Sequence, residues 1–471
     1  MSTEPNKNSP THKLPTHLLR EPTPEIQPPT MNKPSLNLLT STTCPTTSLP
    51  KSPDPRNRDT PFFKSAQWTA DGTTLLTLTS HPSIQTYVLP STLLTPPHPP
   101  LTPTSTLPLP EPTSTFSPSP YFSLSHPSTQ YLLTATTDHP IHLTPIFSPA
   151  SPPLASFFLI KPETESYLPI TSLVWPSPGT HFITGTTNLL ALFDISRPDS
   201  LCSTPLLRIP TIPSTRHISK GNGIGMRGTV SALGLQPTGA GEGILAAGTW
   251  TRWVGLYDIY RSGSVIANFS VKPSADHEAG IKGKGVVQTI WSPCGRYLVV
   301  NERGSEGLLV YDVRGTHKLL GWLSGRDGTT NQRLGVDVFP DQNGNGFEVW
   351  AGTKNGTVVM YEGVGMNEGE TKPTWEWGVN DGESAVGATA MHSSGSVLAT
   401  CSGSWKVADD DSSDEGSSDD SDSDSEDDSS SGKKPAFVVE ETSLKVWSID
   451  ASNGAAAQEF EPLEGDVEEK E

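Results

Sequence analysis

An all-β fold built from seven repeated sheets is what this sequence predicts, and three observations predict it. Helical periodicity is almost absent over the 471 residues. An apolar strand, a turn, a second apolar strand, a short turn and a third strand recur seven times. Turn dipeptides sit between the first two strands of several copies: Asp71-Gly72, Pro178-Gly179, Cys294-Gly295 and Ser394-Gly395.

The copies follow in order. The first is FFKSAQWTADGTTLLTLTSHPSIQTYVL (62–89), where Asp71-Gly72 splits two strand-like runs. The second, YFSLSHPSTQYLLTATTDHPIHLTPIF (121–147), is rich in Pro and Thr. The third is PITSLVWPSPGTHFITGTTNLLALFDI (169–195), and the fourth is TVSALGLQPTGAGEGILAAGTWTRWVGLYDI (229–259). The fifth is GVVQTIWSPCGRYLVVNERGSEGLLVYDV (285–313), and the sixth, RLGVDVFPDQNGNGFEVWAGTKNGTVVMYE (333–362), has Asn355-Gly356 between its second and third strands. The seventh starts at 385 and is interrupted: its third strand waits until Leu444–Ile449. The residues before each first turn (Trp68, Ser125, Trp175, Leu235, Trp291, Val338 and Met391) lie 47 to 60 residues apart. A WD40 repeat runs about 40–45 residues. Pro-rich loops at 90–120, 148–156 and 198–216 take up the excess, since 39 of the 46 prolines precede residue 217.

One such sheet cannot bury its own faces, but seven packed radially can, with a fourth strand drawn from each connection. Third strands end in Phe193-Asp194, Tyr257-Asp258 and Tyr311-Asp312, the place of a WD dipeptide. The expectation is a seven-bladed WD40 β-propeller over 59–461. A disordered Pro/Ser/Thr-rich arm (1–58) precedes it, and an acidic tail (462–471) follows. The block DDDSSDEGSSDDSDSDSEDD lies between the second and third strands of the last blade, so 407–436 reads as a disordered loop insertion and not a domain boundary. Residues 455–461 or a stretch of the arm would supply the last blade's fourth strand.

The formal charge of −19 is uneven. Residues 409–428 hold 12 acids and no base, and residues 459–471 hold 7 acids. Without them the body is near neutral, so the acidity does not exclude a nucleic-acid-binding face. Cys44, Cys202, Cys294 and Cys401 show no metal-ligand spacing and read as free thiols of a reducing compartment. No secretion signal and no apolar run of membrane-spanning length is present. No cofactor is expected, and no catalytic constellation stands out. GIGMRG (223–228) matches a dinucleotide fingerprint, but a strand and not a helix follows it, so it reads as a loop between blades.

Basic and aromatic residues gather in the loops of copies four to six: Trp250, Arg252 and Trp253, then Arg303, Arg326 and Arg333. Such side chains suit looped or single-stranded RNA, which offers phosphates and unstacked bases; they also serve as packing between blades. In the acidic block Ser412, Ser417, Ser421, Ser423 and Ser425 each carry an acid three residues on, the pattern of an acidophilic kinase. The block reads either as a solvating spacer or as a phosphate-tuned decoy for basic partners.

The element SGRDGTTNQRLGVDVFP (324–340) resembles one in the telomerase Cajal body protein family, WD-repeat proteins that bind small Cajal-body RNAs. Gly325, Arg326 and Thr329 to Arg333 carry the match. FFKSAQWTADGTTLLT (62–77), FDISRPD, WVGLYD and HSSGSVLATCSG extend it over about 60–449. The resemblance implies a non-catalytic scaffold for H/ACA-type guide RNAs and telomerase RNA, acting in the nucleus with their ribonucleoprotein partners as a monomer off the membrane, with the cytoplasm left open. It implies RNA contacts from Lys64, Arg326, Asn331, Gln332 and Arg333, to which the basic and aromatic cluster adds Arg252 and Arg303. The competing reading of Asn331, Gln332 and Arg333 is structural, as buried ties between blades. The competing function is a protein-only WD40 adaptor in spliceosomal particle assembly.

Overall fold

The computed structural model describes residues 33–44, 61–196, 202–212, 225–237, 243–407 and 437–450, apart from positions 262, 316–317, 342–343, 345, 381–383 and 440. Two compact units separate, Met1–Lys33 with Ala451–Glu471 and Pro34–Asp450. All the described residues except Lys33 fall in the second unit, whose architecture follows.

Seven sheets form a β-propeller, each with an antiparallel four-stranded core, and blades two and five add a short parallel fifth strand, Cys202–Ser203 and Gly369–Thr371. Blade one is Phe63–Trp68, Thr74–Thr79, Ser83–Val88 and Ser105–Pro108. Blade four is Val230–Leu235, Leu245–Thr249, Trp253–Asp258 and Ser264–Ser270. Blade five is Val286–Trp291, Tyr297–Glu302, Leu308–Asp312 and Leu319–Leu323, and blade six is Val336–Pro340, Phe347–Gly352, Thr357–Val364 and Trp375–Gly378. Blade three begins at Ser172–Val174.

Strand alternation explains the core. Successive side chains point to opposite faces, and each face meets a different neighbouring blade. In blade one Leu75 packs with Phe63, Tyr87 and blade-seven residues Ala399 and Val446, whereas Leu76 and Leu78 pack with Phe122 and Leu132 of blade two. Among the described residues an apolar cluster fills each of the seven junctions between blades. With both faces covered, second strands such as Thr74–Thr79 and Val397–Ser402 are buried along their whole length. Hydrogen bonds repeat around the ring: Trp68 Nε1 donates to Ala390 O at 2.9 Å, and Trp291 Nε1 to Gly234 O at 3.0 Å.

Two expectations need correction. The first strand of copy two is Thr113–Pro118, paired with Tyr131–Thr136; the run at 121–130 that carries Ser125 is turn and 3₁₀ structure. Prolines at 112, 118 and 120 concealed that strand, yet Pro118 is tolerated at its last paired position. The Pro-rich segments read as loops also hold fourth strands, at Ser105–Pro108, Ala155–Phe157 and Leu207–Pro210. Ser105–Pro108 and Leu207–Pro210 can end in proline because among the described residues they are the outermost strands of their sheets, with no further ladder to complete.

The second correction is to the bound of the 1–58 arm, since ring closure takes the arm alternative that the sequence left open. Ser35–Thr43 pairs antiparallel with Ser443–Asp450 and becomes the fourth strand of blade seven. The folded body therefore takes in part of the predicted 1–58 arm. The register runs from Ser35 opposite Asp450 to Thr43 opposite Ser443, with a bulge between Leu38 and Thr40. Leu39 is buried against Phe63 and Tyr87 of blade one. Both ends of the ring thus meet in one sheet, which leaves no unpaired first or last blade. The acidic segment 408–436, its five candidate phosphoserines and the acidic tail lie outside the described residues. Its two flanks pair as Trp405–Val407 with Phe437–Val439, so the insertion leaves the blade through a short two-stranded stem.

Candidate nucleic-acid interface

Each first strand begins at one end of the propeller, and the turn between second and third strands returns to that end. Lys64, Arg303 and the 324–333 element therefore share one mouth by topology. First strands of neighbouring blades lie against one another there and line the axis.

The Gly-Arg…Thr-Thr-Asn-Gln-Arg element divides into buried and exposed halves. Arg326 is 2% exposed. Its Nε donates to Gly352 O at 3.0 Å, Nη1 to Asn301 Oδ1 at 2.9 Å and Nη2 to Leu334 O at 3.1 Å. Those acceptors belong to blade six, blade five and the strand entry between them. Burial pushes its pKa down to about 10, so the guanidinium stays charged at neutral pH. Asp327 continues the clasp: it accepts from Thr329 Oγ1 at 2.8 Å and Asn355 Nδ2 at 2.8 Å, and pairs with Lys354 at 3.2 Å. Gln332 Nε2 donates to Gly403 O at 2.8 Å, tying this loop to blade seven. Arg326 and Gln332 are thus spent on protein acceptors.

Asn331 and Arg333 are exposed and make no hydrogen bond or ion pair with the described residues, and the same holds for the Lys64 ammonium. Lys64 and Gln332 converge over Gly387: a Cβ there would lie 3.1 Å from Lys64 O and 3.4 Å from Gln332 Nε2, so the missing side chain permits the approach. Burial and then the Arg333 charge lower the Lys64 pKa. Burial and then the Arg303 charge lower that of Arg333. Solvent reaches both residues. Neither forms an ion pair among the described residues.

Arg303 completes the arc. Its guanidinium lies over the Trp250 ring, 5.6 Å from the centroid. Its backbone is pinned to the entry of blade five, with Arg303 N donating to Gly285 O at 2.8 Å and Lys284 N donating to Arg303 O at 2.9 Å. Trp250 is 51% exposed, whereas Trp253 is half-buried in its strand. Arg252, predicted to touch RNA, has a different task. Its side chain is 12% exposed and donates to Glu302 Oε1 at 2.7 Å and, through both Nη atoms, to Asp276 at 2.9 and 3.0 Å. Burial lowers its pKa, but these carboxylates outweigh the burial and keep it cationic. Exposed Lys284 and Arg227, in the connections entering blades five and four, were missed from sequence. A basic residue within three positions of the start of a first strand was the signal available, since Lys64 and Arg333 also lie at such starts. The acidic stem also starts at this end, where Phe62 meets Trp405 edge-on at 5.1 Å.

Elsewhere the predicted features hold structural places. Tyr257 and Tyr311 are buried, and Asp312 pairs with Arg296 at 3.1 Å and Arg314 at 2.7 Å. Cys44, Cys294 and Cys401 are unpaired thiols. Burial pushes Cys44 and Cys401 up to about 12.

No protein-family model matches the chain. Telomerase Cajal body protein 1 of Bos taurus is 25% identical over 283 residues, covering 60% of this chain and 46% of that protein. Its Homo sapiens counterpart is 24% identical over 282 residues, covering 60% and 45%. Guanine nucleotide-binding protein negative regulator 1 of Schizosaccharomyces pombe is 26% identical over 312 residues, covering 65% of this chain and 72% of that protein. The chain spans about half the length of the telomerase Cajal body proteins it matches. The resemblance read from the 324–340 element is thus accompanied by a distant relationship along most of the propeller, and the chain is a WD40-type scaffold.

Proposed function

We propose that the chain is a non-catalytic scaffold that binds a small nuclear RNA of the guide class (H/ACA-type or telomerase RNA) across the mouth of its propeller. In this reading it supports assembly or localisation of that RNA's particle in the nucleus. One observation carries the proposal: Lys64, Arg303 and Arg333 gather at one mouth, where Arg333 acts on Lys64 and Arg303 on Arg333, and none of the three has an ion pair among the described residues. Like charges held together repel, and a polyanion removes that repulsion and gains counter-ion release. The names of the Bos taurus and Homo sapiens relatives point to the same class of particle. Asn331 adds an unengaged amide for a base edge.

The test is crosslinking and sequencing of RNA bound to the tagged protein in its own cells, beside a Lys64→Ala/Arg333→Ala variant whose melting temperature is first shown to match the parent. Enrichment of small nuclear RNAs, lost in the folded variant, is the expected result. A stable set of co-purified proteins with no enriched RNA would overturn it in favour of a protein-only adaptor in spliceosomal particle assembly.

A further inference from the structure

We propose that Trp250 and Arg303 form a stacking subsite for one unpaired nucleobase, which restricts the mouth to RNA that offers single-stranded bases. This rests on the reading that the mouth binds RNA, and it specifies the kind of RNA.

The first support is exposure. An indole left 51% open on a folded surface forgoes the stabilisation of burial, whereas Trp291 in the next blade is buried. The second is rigidity. The Trp250 loop is not left to move: Trp250 N donates to Thr229 O at 3.1 Å, and Arg252, in the left-handed region at φ 66°, is clamped by Glu302 and Asp276. Gly285 makes room for the loop, since a Cβ there would stand 2.8 Å from Trp250 O. A side chain exposed but held in place is preorganised for a ligand. The third is chemistry. Arg303 covers one side of the ring, leaving the open side as a flat π surface beside a cation. A nucleobase stacks on such a surface, and the adjoining phosphates meet Arg303, Lys284 and Arg333 along the arc. A paired base inside a duplex cannot present its face, so a double helix gains nothing from Trp250.

The experiment measures affinity of the full chain, by fluorescence anisotropy at fixed salt, for three probes: a 12-nucleotide single-stranded RNA, the same backbone with abasic sites, and a blunt RNA duplex. The parent is compared with Trp250→Ala and Trp250→Tyr, each checked for an unchanged melting temperature. Trp250→Ala is expected to weaken the intact single strand about tenfold. It should leave the abasic and duplex probes unchanged, and Trp250→Tyr should recover most of the loss. If the parent binds the intact strand and Trp250→Ala binds it equally well, the subsite is wrong while RNA binding stands. If the parent binds none of the three probes, both readings fall.

Discussion

Arg326 donates from Nη1 to Asn301 Oδ1 at 2.9 Å inside the protein, joining the entry of blade six to the second strand of blade five. Asn301 uses its own Nδ2 on Leu334 O at 2.8 Å, the carbonyl that also accepts from Arg326. The pair closes a buried polar network in which each guanidinium nitrogen has an acceptor.

Removing one member of such a network leaves the others buried and unsatisfied. Arg326→Ala should cost about 3–5 kcal/mol of stability. Denaturant unfolding measures it, and a variant as stable as the parent would show that the network carries little.

Arg333→Ala should behave in the opposite way. Its guanidinium bonds to no described residue and repels Lys64, so its loss should change stability by less than about 0.5 kcal/mol. Any gain should be largest at low ionic strength and fade as salt screens the repulsion. Melting curves of parent and variant in low and high salt test this, and a salt-independent loss would assign Arg333 a structural role.

Ring closure through Ser35–Thr43 predicts that distant termini stabilise each other. Leu39→Ala should cost about 2–4 kcal/mol, because Leu39 is buried between blades seven and one. Replacing 408–436 by a tight turn between Val407 and Phe437 should leave the melting temperature within a few degrees, since the stem strands already pair. Differential scanning calorimetry of the two variants compares these effects directly.

Asp337 lines the axis and accepts from Met391 N at 2.8 Å and Val338 N at 2.9 Å. Burial raises its pKa from 3.8 to about 6, against the pull of those bonds. The folded state then binds its proton more tightly than the unfolded chain does. The resulting stabilisation is full below about pH 3.8 and is lost as pH rises through about 6. Asp337→Asn should remove that slope. Unfolding free energies of parent and variant at pH 4, 5, 6 and 7 should converge or cross along this window; parallel curves would place Asp337 at its ordinary pKa.

Much of the fold was legible because strands announce themselves locally. Alternating side chains that must meet a blade on each side give apolar runs such as TLLTLT and YLVVNE, and the turns between them demand glycine, as at Gly72 with φ 69°. Copy two was misplaced where proline masked that pattern. The site was legible only in part. The Thr-Thr-Asn-Gln-Arg element marked the right loop, but the sequence could not say that Arg326 and Gln332 face protein while Asn331 and Arg333 face solvent. Adjacent residues in a loop have no fixed period, so neighbours far along the chain decide their surroundings.

The sequence by itself determined the seven sheets, their turns and the place of the acidic insertion within the last of them, because backbone periodicity and turn geometry are set within a few residues. Only the tertiary structure decided that Ser35–Thr43 closes the ring against Ser443–Asp450, and that Lys64, Arg303 and Arg333 meet at one mouth. Those outcomes depend on pairing and charge proximity across hundreds of residues, which local propensity does not encode.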